Sequence, residues 1–176
     1  DAIEVWNGVM SERNLRALAW WQGQLCQGRH LPMTGGSDFH RPELLGDMGS
    51  PSTCLYALSR EPEDLMAALR AGHSYISYVP KGPGIEVQCD KLGLGDTVKQ
   101  GSELELRFFN LRGGDVLRLI TDLSMEEVSC EPNTAERRLT RIFEDAKFCR
   151  FEVIRTYAPG LPPMVAMISN PVYFER

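Results

Sequence analysis

The sequence predicts an α/β region followed by an antiparallel β region, and three observations lead to this fold class. Apolar residues in the first half recur at helical spacing between short apolar runs. A Pro/Gly cluster at residues 80–84 forms a candidate linker. Beyond it the hydrophobic period changes from 3.6 to 2, as the alternation of Ile85 and Val87 with polar residues illustrates. We therefore predict two domains, residues 1–80 and residues 85–176.

The first region begins with a β-α pattern. Residues 3–6 form an apolar run that predicts a strand, and Asn7 with Gly8 ends it. A helix is predicted over residues 12–27, because Ser11 is a suitable N-cap and a glycine follows the last turn. Trp20 is expected to pack against the rest of the protein. Four residues share one face of this helix and are predicted to be buried: Leu15, Leu18, Trp21 and Leu25.

A second β-α pattern follows, and a further strand completes the region. Residues 31–34 predict a strand, residues 43–53 are rich in Gly, Pro and Ser and predict a loop, and residues 54–58 predict another strand. A helix is predicted to begin near Pro62 and to end at Gly72. His73 is interpreted as an electrostatic cap at that helix end. Residues 74–79 are rich in β-forming residues.

The second region predicts a small antiparallel β-sandwich of several short strands. A turn is expected at residues 112–115, between two strands. Residues 133–143 allow a helical alternative, because Glu and Arg are good helix formers, but we predict a strand there. The strands are expected within residues 85–89, 103–108, 116–121, 137–143, 148–155 and 164–168, with a last strand after the turn at Asn170 and Pro171.

Composition restricts the classes of function and the compartment. The chain of 176 residues is 43% hydrophobic and 24% charged, which is typical of a globular protein. Its net charge of −5 leaves no basic surplus for nucleic acid, so no nucleic-acid partner is expected. No apolar run approaches the length of a membrane span, so no membrane partner is expected. The five cysteines are scattered without a C-x-x-C pair, which favours reduced thiols and a cytoplasmic protein.

The segment at residues 35–42 carries the clearest chemical signal. Asp38 and His40 are two residues apart after a short apolar run, so in a strand they would project to the same side, with Phe39 turned away. A carboxylate oxygen and an imidazole nitrogen together suit a divalent metal ion such as Zn, Mn or Fe. The alternative is a surface loop in which Asp38 caps a turn and His40 is solvated.

The surrounding motifs resemble a known family. Residues 1–8 (DAIEVWNG), followed by a helix and then residues 36–40 (GSDFH), are similar to the C-terminal part of a PHP (polymerase and histidinol phosphatase) domain. Within that superfamily the chain resembles most the CehA/McbA-type predicted metallohydrolases, including their C-terminal extension at residues 69–77, 93–96 and 168–173. The resemblance covers nearly the whole chain. It implies a partial PHP-type βα barrel, its C-terminal βαβα part, before the β-sandwich.

The resemblance also implies a function. It indicates a metal-dependent hydrolase, most specifically a phosphoesterase, in which a metal centre activates water against a small anionic substrate such as a phosphate ester. Asp38 would bind one metal and His40 another, and Asn7 would hydrogen-bond near the site. Arg41 either contacts the anionic substrate or is simply exposed. Glu4 is not expected as a ligand, because strand alternation places it with Trp6. An ester or carbamate hydrolase would use the same machinery.

The family site is only partly represented in this sequence. PHP sites also use an H-x-H motif, further histidines and a bridging glutamate, whereas this chain has three histidines and no H-x-H. We therefore expect a C-terminal fragment whose partner is the missing N-terminal half of the same protein. An exposed edge at residues 3–6 would also favour a homo-oligomer. The alternative function is a non-catalytic β-sandwich that binds a ligand or partner, or is purely structural, attached to an enzyme remnant.

Overall fold

A computed structural model describes residues 2–41 and 48–175. The elements follow the order β1 (Ile3–Asn7), α1 (Glu12–Cys26), β2 (Met33–Gly36), β3 (Ser52–Leu55), α2 (Pro62–Ala71), β4 (Ser74–Ser77), β5 (Gly84–Gln88), β6 (Thr97–Lys99), β7 (Glu103–Phe109), β8 (Val116–Thr121), β9 (Met125–Ser129), β10 (Glu136–Ile142), β11 (Phe148–Arg155), β12 (Met164–Ser169) and β13 (Val172–Glu175). The structure is thus mostly β-sheet, with two short helices. Neither helix combines the length and the apolar character needed to cross a bilayer.

An eight-stranded sheet forms the centre of the molecule. Its strands run in the order β3-β4-β12-β11-β13-β6, and β8 pairs with β11 and carries β9 on its other side. The pairings are antiparallel except that of β13 with β6. A three-stranded antiparallel sheet, β10-β7-β5, is separate from it. The predicted combination of α/β and antiparallel β structure is confirmed at this level.

Both faces of the central sheet are covered, which explains its composition. Cys149, Phe151 and Val153 of β11 belong to a core that they share with Leu106 and Phe108 of the three-stranded sheet. Phe148, Ile76 and Ile168 belong to a second core, which contains Trp6, Trp21 and Met33 of β1, α1 and β2. Alternate residues of one strand therefore face opposite layers. Strand β11 is buried at all eight positions for this reason.

The strand prediction for residues 137–143 is confirmed, and the helical alternative is not observed. Strand β10 pairs residue by residue with β7, from Glu136 opposite Phe109 to Ile142 opposite Glu103. Helix-forming Glu and Arg side chains are accommodated because most positions of β10 are exposed. Cross-strand pairing has therefore outweighed local propensity. Strands β6 and β9 were not expected; β6 has three residues, and β9 is largely exposed.

The two helices follow the predicted boundaries, but the buried face of α1 is narrower than expected. Helix α2 has a proline in its first turn and ends at Gly72, whose φ of 76° is left-handed. In α1, Trp21 and Leu25 are buried, as predicted. Leu15 and Trp20 are each 50% exposed, so the predictions that they pack inside are wrong. The second core includes Trp21 and Leu25, and Leu18 packs against it as a partly buried residue, so three of the four predicted positions contact the core.

Strands β1 and β2 form a parallel pair, which is the framework for the candidate site. Met33 lies opposite Ile3 and Gly36 lies opposite Asn7. In the described part of the chain this pair joins no further strand, so it displays no closed barrel. The side chain of Asn170 fixes β2 from the central sheet, because its Oδ1 accepts from the N–H of Met33 at 2.8 Å and its Nδ2 donates to the Met33 carbonyl at 3.2 Å.

The predicted linker and loop have more specific structures than the sequence indicated. The chain turns at residues 80–83, and β5 begins at Gly84. Strand β4, before this turn, pairs with β12, which comes long after it, so strands from both predicted domains share the central sheet. Of the predicted loop at residues 43–53, residues 43–47 lie outside the described residues, while Ser52 and Thr53 belong to β3.

Candidate functional site

The candidate site lies at the carboxyl end of the parallel pair β1–β2. Strand β2 ends at Gly36, and the next four residues leave the sheet in an irregular conformation. Asp38 has a φ of 49°, a left-handed value that aspartate tolerates better than most residues. The carboxyl ends of parallel strands are where α/β folds commonly place their ligand sites. The position of the segment thus agrees with a binding role.

Asp38 and His40 are brought together, although not by the geometry that we predicted. The Nε2 atom of His40 lies 2.8 Å from Oδ1 of Asp38, within hydrogen-bonding distance. Strand alternation is not the reason, because both residues lie beyond the end of β2. The left-handed turn at Asp38 sets the local course of the chain instead. The sequence therefore identified the pair, and the loop conformation explains the contact.

Both side chains of this pair are accessible. The side chain of His40 is 80% exposed and that of Asp38 is 54% exposed. An exposed contact of this kind contributes little to stability, on the order of 0–1 kcal/mol. Neither side chain is therefore required to hold the local fold together. Their oxygen and nitrogen atoms are accessible to a ligand from solvent, which suits the donor set of a divalent metal ion.

Asn7 occupies the end of β1, next to the end of β2. Its side-chain Nδ2 donates a hydrogen bond to Oε2 of Glu4 at 3.2 Å, and its backbone N–H faces the side-chain oxygen of Asn14 in α1 at 3.3 Å. A carboxylate oxygen of Glu4 also lies near Gly36, 3.6 Å from the position that a Cβ would take there. Asn7 and Glu4 thus share one edge of the strand pair.

This arrangement corrects the predicted position of Glu4 beside Trp6, whereas the expectation that Glu4 is not a metal ligand stays a prediction. The pairing of β1 with β2 shifts by one residue between Glu4 and Trp6, which is the signature of a β-bulge. Val5 and Trp6 are consequently both buried, and Glu4 and Asn7 are both exposed. Strict alternation would have placed Glu4 beside Trp6 in the core. Two adjacent apolar residues in a short run were the only local signal of the bulge.

Arg41 is exposed and ends the first described stretch of the chain. Within residues 2–41 and 48–175, no group of three or more His, Cys, Asp or Glu side chains is arranged to hold a metal ion. Asp38 and His40 supply two donors, whereas a catalytic zinc typically has three protein ligands and a water molecule. The two residues fit part of a metal site.

Comparisons with known proteins found no relative of this chain. No protein-family model, no curated protein and no solved structure matches the chain.

Proposed function

We propose that this chain is the C-terminal part of a metal-dependent hydrolase of the PHP type, and that Asp38 and His40 are metal ligands in it. The observation that carries the proposal is the pairing of an exposed carboxylate with an exposed imidazole, 2.8 Å apart, at the carboxyl end of two parallel strands. The resemblance of residues 1–8 and 36–40 to the PHP family supports the same assignment.

The chemistry of such a site follows from its donors. A Zn, Mn or Fe ion held there would supply Lewis-acid activation of water near neutral pH. The carboxylate of Asp38 and the neutral imidazole of His40 would hold the metal. Asn7 would donate a hydrogen bond near the substrate, with Glu4 fixing the orientation of its amide. The positive charge of Arg41 would attract the anionic substrate, for which we propose a phosphate ester in preference to a carboxylic ester or carbamate.

Two donors do not complete a catalytic centre, so the remaining ligands would come from an N-terminal half of the same protein. The 176-residue chain alone should then bind metal weakly or not at all and should show negligible hydrolysis. The non-catalytic alternative, a binding or structural β-sandwich, is favoured by one observation: the described residues contain no group of three metal-binding side chains. Activity of the complete protein separates the two proposals.

The test is turnover of a chromogenic phosphate ester by the complete protein and by two variants, Asp38→Ala and His40→Ala. Loss of a metal ligand should lower kcat/KM by at least about 100-fold, since loss of a residue that merely supports a ligand already costs 10–100-fold. His30→Ala is the matched control, because His30 is an exposed histidine that stacks on Tyr173 away from this site. Wild-type rates in both variants would remove Asp38 and His40 from the mechanism.

A further inference from the structure

A groove beside the end of α2 has the size of a small-molecule site. It encloses about 570 Å³ between His73, strand β5 and the segment that follows β5. A neighbouring cavity of about 480 Å³ shares Tyr56, Leu58 and His73 with it and continues along α2. Ligand sites typically enclose about 300–1,000 Å³. Asp38 and His40 line neither cavity, so the groove is separate from the candidate metal site.

Large apolar side chains are exposed around this groove. Leu58 is 97% exposed, Leu92 is 41% exposed and Tyr56 is 39% exposed, and all three line it. Alanine residues of α2 line the second cavity, which shares Leu58 and Tyr56 with the first. The two cavities therefore form one continuous and mostly apolar concave surface. Exposed apolar side chains clustered around a concave surface are typical of a binding site.

Tyr56 is held in one orientation by its polar end. Its hydroxyl donates a hydrogen bond to the carbonyl of Ile85 in β5 at 2.6 Å. Burial raises the pKa of this hydroxyl, so it stays protonated and uncharged at neutral pH. The ring also contacts that of Tyr75, with 5.9 Å between the ring centres. Tyr56 thus adds an oriented aromatic side chain to the groove and adds no charge.

Two carboxylates that line the groove already have partners within the protein. An oxygen of Glu86 lies 2.8 Å from the guanidinium of Arg107. Oδ1 of Asp96 lies 3.0 Å from Nε2 of His73, and Oδ2 of Asp96 accepts from the N–H of Gly93 at 2.8 Å. These contacts engage both carboxylates without a cation from solution.

The contact with Asp96 also corrects the interpretation of His73 as an electrostatic helix cap. The backbone N–H of His73 continues the end of α2 by donating to the carbonyl of Ala68, while its ring contacts Asp96. The histidine therefore forms part of the groove wall.

The other polar groups of the described lining are engaged or are balanced by a neighbour. In the second cavity, Asp64 accepts a hydrogen bond from the hydroxyl of Ser59 at 2.5 Å. The side chain of Gln88 donates to the carbonyl of Asp90 at 3.1 Å. The adjacent and exposed charges of Asp90 and Lys91 have opposite signs, so together they favour neither an anion nor a cation. Since removing a charge from water without a partner is unfavourable, the lining favours an uncharged ligand.

We propose that this groove binds a small uncharged molecule through apolar contacts. The molecule lies against Leu58, Leu92 and Tyr56, and its affinity comes from the apolar surface that it removes from water. A small molecule fits better than a flat partner surface, because the apolar residues surround a concave space of limited volume. The groove shares no residue with the proposed metal site, so either proposal stands or fails without the other.

The probes for this proposal are three phenyl ketones that differ by one methylene group each: acetophenone, propiophenone and butyrophenone. Each is titrated into the 15N-labelled 176-residue chain and followed by amide chemical shifts. We expect saturable shifts at residues 56–58, 73 and 86–96. The Kd should be on the order of 1 mM for acetophenone. It should fall about fourfold with each added methylene group, which corresponds to about 0.8 kcal/mol.

Charged analogues of similar size test whether the ligand must be uncharged. At constant pH and ionic strength, 3-phenylpropionate and 3-phenylpropylamine should bind at least about fivefold more weakly than butyrophenone. An affinity for either ion equal to that of butyrophenone would overturn the proposal, and so would the same Kd for all three ketones. Dilution of the chain without ligand should leave the groove amides unchanged. Shifts of these amides on dilution would instead show that a second copy of the chain occupies the groove.

Two variants test the apolar residues of the groove, Leu58→Ser and Leu92→Ser. Both side chains are exposed, so the fold should persist, as the amide spectrum of each variant reports, while the Kd for butyrophenone rises at least about threefold. Leu123→Ser is the matched control, because Leu123 is 65% exposed and lies outside the groove. An unchanged Kd in both groove variants, or saturable shifts confined to another part of the surface, would overturn the proposal.

Discussion

Strand β11 and the loop after β2 each carry a pair of polar side chains two residues apart, and the two pairs differ in burial. In β11, Nη1 of Arg150 lies 2.6 Å from Oε1 of Glu152, and both side chains are 5% exposed. In the loop, Asp38 and His40 are similarly close, yet their side chains are 54% and 80% exposed. The same spacing in the sequence thus yields a buried pair in one region and an accessible pair in the other.

The additional partners of each pair explain the difference. Nε of Arg150 donates to Oε1 of Gln22 at 2.6 Å, and its guanidinium lies 5.4 Å from the ring centre of Trp21. These contacts join α1 to the central sheet, and they offset the cost of removing two charges from water. The loop pair pays no such cost, because it remains in water. The buried charges therefore stabilise the fold through their contacts, whereas the side chains of Asp38 and His40 are accessible from solvent.

The largest decrease in the free energy of unfolding is expected when one member of a buried ion pair is removed. Asp115 accepts two hydrogen bonds from Arg155, at 2.9 and 2.7 Å, and the side chains are 1% and 4% exposed. Asp115→Ala should lower the free energy of unfolding by about 3–5 kcal/mol, because it leaves the guanidinium buried without its counter-ion. Urea denaturation measures this value.

The matched control for that variant is an exposed pair. Arg118 donates to Glu127 at 2.8 Å, and the Glu127 side chain is 47% exposed. Glu127→Ala should cost less than about 1 kcal/mol. Similar losses in Asp115→Ala and Glu127→Ala would show that burial does not set the contribution of a charged pair in this protein.

A second expected effect distinguishes two asparagines. Asn170 is fully buried and bonds to both backbone groups of Met33 and to the hydroxyl of Ser74. Asn170→Ala leaves those groups without hydrogen-bond partners and should lower the free energy of unfolding by about 2–4 kcal/mol. Asn7→Ala, which removes an exposed contact with Glu4, should cost less than about 0.5 kcal/mol. Thermal unfolding of the two variants, side by side, is sufficient; equal costs would contradict the assignment of Asn170 to the core.

A third and smaller effect concerns the strand that positions the loop. A Cβ at Gly35 would lie 2.7 Å from the carbonyl oxygen of Trp6, and a Cβ at Gly36 would meet nothing closer than 3.6 Å. Gly35→Ala should therefore cost about 1–3 kcal/mol by forcing β1 and β2 apart, whereas Gly36→Ala should be nearly neutral. Chemical denaturation of both variants tests this; a destabilised Gly36→Ala beside a neutral Gly35→Ala would show that the strand pairing is wrong.

Sequence patterns predicted the regular elements better than the contacts between them. The bounds of β8 and β11 were predicted correctly, because most residues of each strand are apolar or β-forming. The short strand β6 was missed, since three residues carry no period and only its parallel pairing with β13 defines it. The exposure of Trp20 was missed as well, because helical spacing does not reveal how far a neighbouring layer extends.

Local sequence patterns were also insufficient to predict contacts between polar side chains. Asp38 and His40 could be identified because their contact is local, whereas the bulge that moves Glu4 beside Asn7 depends on pairing with β2. The contact of His73 with Asp96 joins residues 23 positions apart, and no local pattern predicts it. Contacts between polar residues that are distant in the sequence could therefore not be predicted from local patterns.

The metal content of the complete protein tests the central claim, which is that Asp38 and His40 bind metal and contribute little to the free energy of unfolding. Elemental analysis would compare the wild type with Asp38→Ala and His40→Ala, with urea denaturation of each preparation as the control for folding. We expect both variants to lose most of their bound metal, while the free energy of unfolding changes by less than about 0.5 kcal/mol in His40→Ala and falls by about 1 kcal/mol in Asp38→Ala, because alanine is less favourable than aspartate at the left-handed φ of that position. Wild-type metal content in both variants, or unfolding of both, would contradict the claim.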